Sequence, residues 1–128
     1  MQISRIDHFV LTVQDIDVTC DFYSRACGME VVTFAGGRKA LSFGQHKINL
    51  HQAGSEFLPK AASPTRGSGD FCLISSIPLD EVIAHLETEN IAIEDGSVAR
   101  TGAMGPIRSI YFRDPDGNLV EISEYIDL

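Results

Sequence analysis

A chain of 128 residues with 44% hydrophobic and 22% charged side chains has the apolar content to bury a core and too little charge to stay disordered. Its formal net charge of −8, with ten scattered cations, excludes a nucleic-acid footprint, and no apolar run reaches membrane-spanning length. Three cysteines without a CxxC pair, behind an N-terminus that lacks a basic-then-apolar leader, give the expectation of reduced thiols in a soluble, cytoplasmic protein.

Residues 6–13 alternate apolar and polar and are β-rich, which predicts a strand with Ile6, His8, Val10 and Thr12 on one face and Phe9, Leu11 and Val13 on the other. Asp15 and Gly28 bracket a helix as N-cap and C-terminal stop, with Val18, Phe22 and Ala26 as its expected buried stripe. Short strands are expected at about 30–34, 39–43 and 47–51, separated by the Gly36-Gly37 and Gly44-Gln45 turns. Small and breaker residues then dominate to Gly69 and mark a linker.

The order repeats after it. A strand is expected over 70–77, then a helix starting at Pro78, with Leu79, Val82, Ile83 and Leu86 on its apolar face and Asn90 ending it. Strands near 92–95, 109–112 and 119–124 complete the second half, with Arg100 to Pro106 expected as a loop between the first two. The expected class is therefore α+β, with two βαβββ modules of about 3–53 and 69–128 joined by a linker of about 54–68 in a single domain of residues 1–128. Neither half is large enough to stand well alone, so each must pair with the other or with a second chain.

The most informative stretch is Asp114-Pro115-Asp116-Gly117-Asn118. Pro115 presets φ at the first corner of a tight turn, and Gly117 accepts the positive φ that strains other residues. Ile110-Tyr111-Phe112 before it and Leu119-Val120 after it predict a hairpin, and on its second strand Glu121 faces away from Val120 and Ile122.

This turn leading to Glu121, together with Ile6-Asp7-His8-Phe9-Val10-Leu11-Thr12-Val13 at the start, resembles the vicinal oxygen chelate superfamily of glyoxalases, bleomycin- and fosfomycin-resistance proteins and extradiol dioxygenases. The resemblance covers nearly the whole chain. Gly105 to Asn118 and Lys47-Ile48-Asn49-Leu50-His51 look most like small glyoxalase-domain proteins that include a bacterial virulence-associated type. It implies curled mixed sheets around a cleft, a homodimer, and one divalent metal ion, with Ni, Zn, Mn and Fe not distinguished. Its site would be His8, His51, Asp70 and Glu121, with Glu121 also moving a proton on a small oxygenated or anionic substrate.

Asn49 and His51 face the same way, so strand parity leaves the second ligand position open between them. Asp70 reads equally as a turn residue ending the linker, and His51 as a solvated strand-end histidine. The lyase pattern of His, Glu, His and Glu is departed from at Asn49 or His51 and at Asp70. Arg100, Arg108, Tyr111 and Asn49 are the candidates for gripping the organic part of the ligand. The cysteines read as small buried hydrophobes, Phe34, Phe43 and Met104 as core, and Arg113 as a surface charge. A non-catalytic binding protein of the bleomycin-resistance type is the alternative function.

Overall fold

The structure, a computed structural model, describes residues 1–126. The expected second module runs two residues further, and those lie outside the described residues. The chain divides into two compact units, Met1–Gly67 and Ser68–Leu128, each with its own sheet and helix. The class is α+β, as the repeat predicts.

In the first unit the order is β1 (His8–Val13), α1 (Ile16–Cys27), β2 (Glu30–Phe34), β3 (Arg38–Phe43) and β4 (His46–Gln52). The sheet order is β1-β4-β3-β2, with β1 parallel to β4 and the other pairs antiparallel. Ladder partners share a face. Register therefore places His8, Val10 and Thr12 beside Lys47, Asn49 and His51, and Phe9, Leu11 and Val13 beside Ile48, Leu50 and Gln52.

Helix α1 packs against the sheet over Tyr23, Ala26, Leu41, Ile48 and Leu50, all buried. Asp15 Oδ1 accepts from the backbone N–H of Asp17 and Val18, and Gly28 ends the helix at φ 65°. The buried stripe is Thr19, Tyr23 and Ala26 with Cys20, which corrects the expected one: Val18 is 50% exposed. With the phase set by the cap, Val18 lies about 100° round from Thr19.

The second unit repeats the plan: β5 (Asp70–Ile74), α2 (Leu79–Thr88), β6 (Asp95–Gly102), β7 (Gly105–Arg113) and β8 (Leu119–Tyr125). Its sheet order is β5-β8-β7-β6, with β5 parallel to β8. Leu79, Val82 and Leu86 of α2 are buried, as are Ile110, Phe112, Val120 and Ile122 of the sheet. Pro78 has no side-chain acceptor to cap α2, and Glu124 of β8 supplies one, its Oε2 accepting from Leu79 N–H at 3.0 Å.

The expected loop from Arg100 to Pro106 is instead a tight hairpin. Arg100 pairs with Ile107, Thr101 with Pro106 and Gly102 with Gly105, leaving Ala103 and Met104 as the turn. Pro106 is tolerated because it sits at the strand end, where its carbonyl still accepts from Ile126 N–H. Met104 is 67% exposed at the tip and does not belong to the core. Near the other end of β6 the register shifts between Gly96 and Val98. Gly96 has φ 115°, and a Cβ there would lie 2.5 Å from the Ser109 carbonyl oxygen.

Among the described residues no helix is long and apolar enough to cross a membrane.

Candidate functional site

The second unit places Glu121 by means of its turn. Asp114 O accepts from Gly117 N–H at 3.0 Å, and Gly117 takes φ 89°. The Asp114 carboxylate accepts from the backbone N–H of Asp116 and Asn118 at 2.9 Å each and from Asn118 Nδ2 at 2.8 Å. Asn118 Oδ1 in turn accepts from Gly69 N–H at 2.7 Å, and Gly69 O from Leu119 N–H at 2.9 Å. The turn thus clamps the end of the linker to the start of β8 and sets the β5–β8 register, Asp70 against Leu119 and Cys72 against Glu121.

Glu121 lies on the polar face of β8. Its Oε2 accepts from Ser109 Oγ at 2.6 Å and from Ser123 Oγ at 3.3 Å, so the carboxylate is oriented by two neighbours on the same sheet. Tyr111 is its ladder partner on β7, and the Tyr111 hydroxyl accepts from Arg100 Nε at 3.0 Å. Burial pushes the Tyr111 phenol up and Glu121 adds to this, against the Arg100 hydrogen bond. Cys72 is on this face as well, exposed rather than buried, and shares a hydrogen bond with Ser123 Oγ at 3.2 Å. Burial at its sulfur, again with Glu121, raises its thiol, while the Ser123 bond lowers it.

Arg108 falls on the other face, in register with Ala99 and Glu124, and donates to Ser97 Oγ. It is turned away from Glu121 and Tyr111, which corrects its expected grouping with them. Arg113 is more than a surface charge. It forms a two-pronged pair with Glu94, at 3.0 Å on each prong, and donates to Gly117 O. Asp70 is exposed, and register through Leu119 puts it on the same face of the sheet as Glu121, in line with Arg113.

In the first unit, His8 Nδ1 lies 2.8 Å from Asp7 Oδ2. A carboxylate only accepts, so His8 donates to it through Nδ1, which leaves Nε2 as the nitrogen a metal would take, the arrangement common among metal-binding histidines. The same bond holds Asp7 below the usual carboxylate range. The repeat bears on the open choice at the second position. Asn49 stands two residues beyond the partner of His8, as Glu121 stands two beyond the partner of Asp70. Asn49 is 6% exposed, and its Oδ1 is buried without a hydrogen-bond partner.

His51 has a different setting. It is 3% exposed, packs edge-on to Phe57, and holds Nε2 3.4 Å from Arg38 Nη2. Burial lowers its pKa, and the Arg38 charge lowers it further against Glu56. A guanidinium beside Nε2 competes with a metal cation for the same lone pair.

Taken singly, the His8 imidazole, the orphaned Asn49 oxygen and the Glu121 carboxylate are each of a donor type that divalent ions accept, whereas the setting of His51 suits one poorly. Among the described residues, no three His, Cys, Asp or Glu side chains come together into a group that could hold a metal ion. Arg38, which no sequence pattern singles out, is the residue missed.

The family model described as Glyoxalase/Bleomycin resistance protein/Dioxygenase superfamily matches residues 5–122. A virulence protein of Salmonella typhimurium is 56% identical over 98% of this chain and 88% of its own length, and its crystal structure superposes with a TM-score of 0.97, covering 98% of this chain and 100% of that one. A glyoxalase domain-containing protein of Mycosarcoma maydis is 51% identical over 99% of this chain and 72% of its own. The crystal structure of a lactoylglutathione lyase from Agrobacterium tumefaciens is 26% identical, with a TM-score of 0.74 over 97% of this chain and 96% of that one.

Proposed function

This chain belongs to the glyoxalase/bleomycin resistance protein/dioxygenase superfamily, and on that premise we propose that it is a metal-dependent enzyme acting on a small oxygenated or anionic metabolite by lyase, isomerase or dioxygenase chemistry. The observation that carries the reading is Glu121, a carboxylate on a rigid strand whose one oxygen is held by two serine hydroxyls while a phenol stands beside it. Carboxylates oriented in this way serve as ligands and as proton carriers.

In this reading His8 would offer Nε2 and Glu121 a carboxylate oxygen to a divalent ion, with Asp70 and the Asn49 amide oxygen as further candidate donors. The bound ion supplies Lewis acidity to a substrate oxygen. Glu121 takes up a proton next to that oxygen and returns it. Tyr111, kept protonated and held by Arg100, donates a hydrogen bond to the substrate. The protein acts as a cytoplasmic homodimer, and elution at the monomer mass counts against that part.

Ser109→Ala tests the reading while leaving every ligand in place. It removes the 2.6 Å bond to Glu121, and metal affinity should fall about 10- to 100-fold, as it does when orienting partners of metal ligands are lost. Affinity unchanged by calorimetric titration would separate Glu121 from the metal.

The second reading is a non-catalytic small-molecule binder. The setting of His51 favours it, since a histidine packed between Arg38 and Phe57 is placed for ligand contact rather than metal.

A further inference from the structure

The first unit holds a cationic cluster that the metal reading leaves unused. On its polar face, the Arg38 guanidinium carbon lies 4.5 Å from the Phe57 ring centroid and 5.3 Å from that of Phe34, while Lys47 Nζ lies 3.8 Å over Phe34. Arg38 Nη2 makes only the long 3.4 Å contact to His51, and Arg38 Nε is buried with no hydrogen-bond partner. Among the described residues no carboxylate forms an ion pair with Arg38 or Lys47. Glu56, whose charge reaches His51, is engaged by Gly54 N–H at 2.7 Å and by Lys60.

A buried guanidinium N–H without an acceptor is costly, and a guanidinium held against two aromatic rings without an ion-paired carboxylate adds to that cost. An anionic ligand supplies both missing partners. Ring contacts use the faces of a guanidinium and leave its in-plane N–H groups for hydrogen bonding, a flat fork that matches two oxygens of one planar group. The further oxygens of a phosphate call for backbone N–H groups at a nest or helix N-terminus, and the amides of β3 and β4 are committed to the sheet.

We propose that Arg38, with Lys47 beside it, is the subsite for the carboxylate of a small organic acid. This rests on the reading of the protein as one that acts on a small oxygenated or anionic molecule, and it narrows that class to carboxylates.

The test uses succinate, its neutral isostere succinamide, and inorganic phosphate, followed by NMR at the Arg38 Nε–H. Succinate should shift that resonance saturably, succinamide should not, and phosphate should bind more weakly than succinate. Arg38→Met and Arg38→Lys, the second keeping the charge without the fork, should each weaken succinate binding about tenfold or more. The succinate titrations are run with and without added divalent metal, and a saturable shift present in both and lost only in the Arg38 variants tells loss of the metal reading apart from loss of the subsite. No saturable shift, equal binding by succinamide, tighter binding by phosphate, or full affinity in a folded Arg38→Lys protein would each overturn the assignment.

Discussion

Asn118→Ala probes the device that puts Glu121 in place. Asn118 is 1% exposed and links two otherwise separate groups: its Nδ2 donates to Asp114 Oδ2 at 2.8 Å, and its Oδ1 accepts from Gly69 N–H at 2.7 Å. Truncation leaves a buried carboxylate oxygen and a partly buried backbone donor without those partners. At about 1–3 kcal/mol for each of the two orphaned groups, the expected destabilisation is about 2–6 kcal/mol, a large share of the 5–15 kcal/mol that typically holds a domain together. In urea unfolding, with a slope of about 2 kcal/mol/M, the midpoint should fall by about 1–3 M. Asn118→Asp keeps the volume and the acceptor but sets a second carboxylate against Asp114, so it should cost at least as much. A loss below about 1 kcal/mol for Asn118→Ala would show that the turn is held by its backbone alone and would refute the clamp.

On α1, Tyr23→Ala should cost about 3–5 kcal/mol and Val18→Ala less than about 0.5 kcal/mol by the same unfolding assay, and the reverse order would return the buried face to Val18. Burial pushes the Cys27 thiol from 9.0 to about 12 in the folded protein. A raised pKa favours the folded state fully below the unfolded value, and that contribution is lost between pH 9 and 12 as the unfolded thiol ionises while the folded one does not. Thiolate absorbance should therefore show Cys27 still protonated at about pH 10, and Cys27→Ala should flatten the alkaline fall in stability; ionisation near the ordinary cysteine value would refute it.

The Asp114 to Asn118 turn was legible in the sequence because its chemistry is local: a proline at the first corner, a glycine at positive φ, and side chains that bond within five residues. Strand parity likewise put Glu121 opposite Val120 and Ile122, and His8 with Asn49 and His51. The β6–β7 hairpin was not legible, because Gly102, Gly105 and Pro106 read as breakers when they in fact close a tight turn and end a strand. The face of Arg108 was lost with it, since a loop has no parity. The Val18–Phe22 and Thr19–Tyr23 stripes differ by one residue, about 100° of helix phase, which an apolar count leaves undetermined. Arg38 has no local signature at all. Its setting comes from Phe57, nineteen positions on, and from His51 on a neighbouring strand.

The central claim is a divalent metal held through Glu121, and elemental mass spectrometry of the purified protein beside Glu121→Gln tests it most directly. Gln keeps the size and one oxygen of Glu121, so the fold should survive, as circular dichroism would verify. Near-stoichiometric metal in the parent protein, lost in the variant, is the predicted result. Equal metal in both, or none in either after reconstitution, would contradict the account and leave the protein as a binder of small molecules.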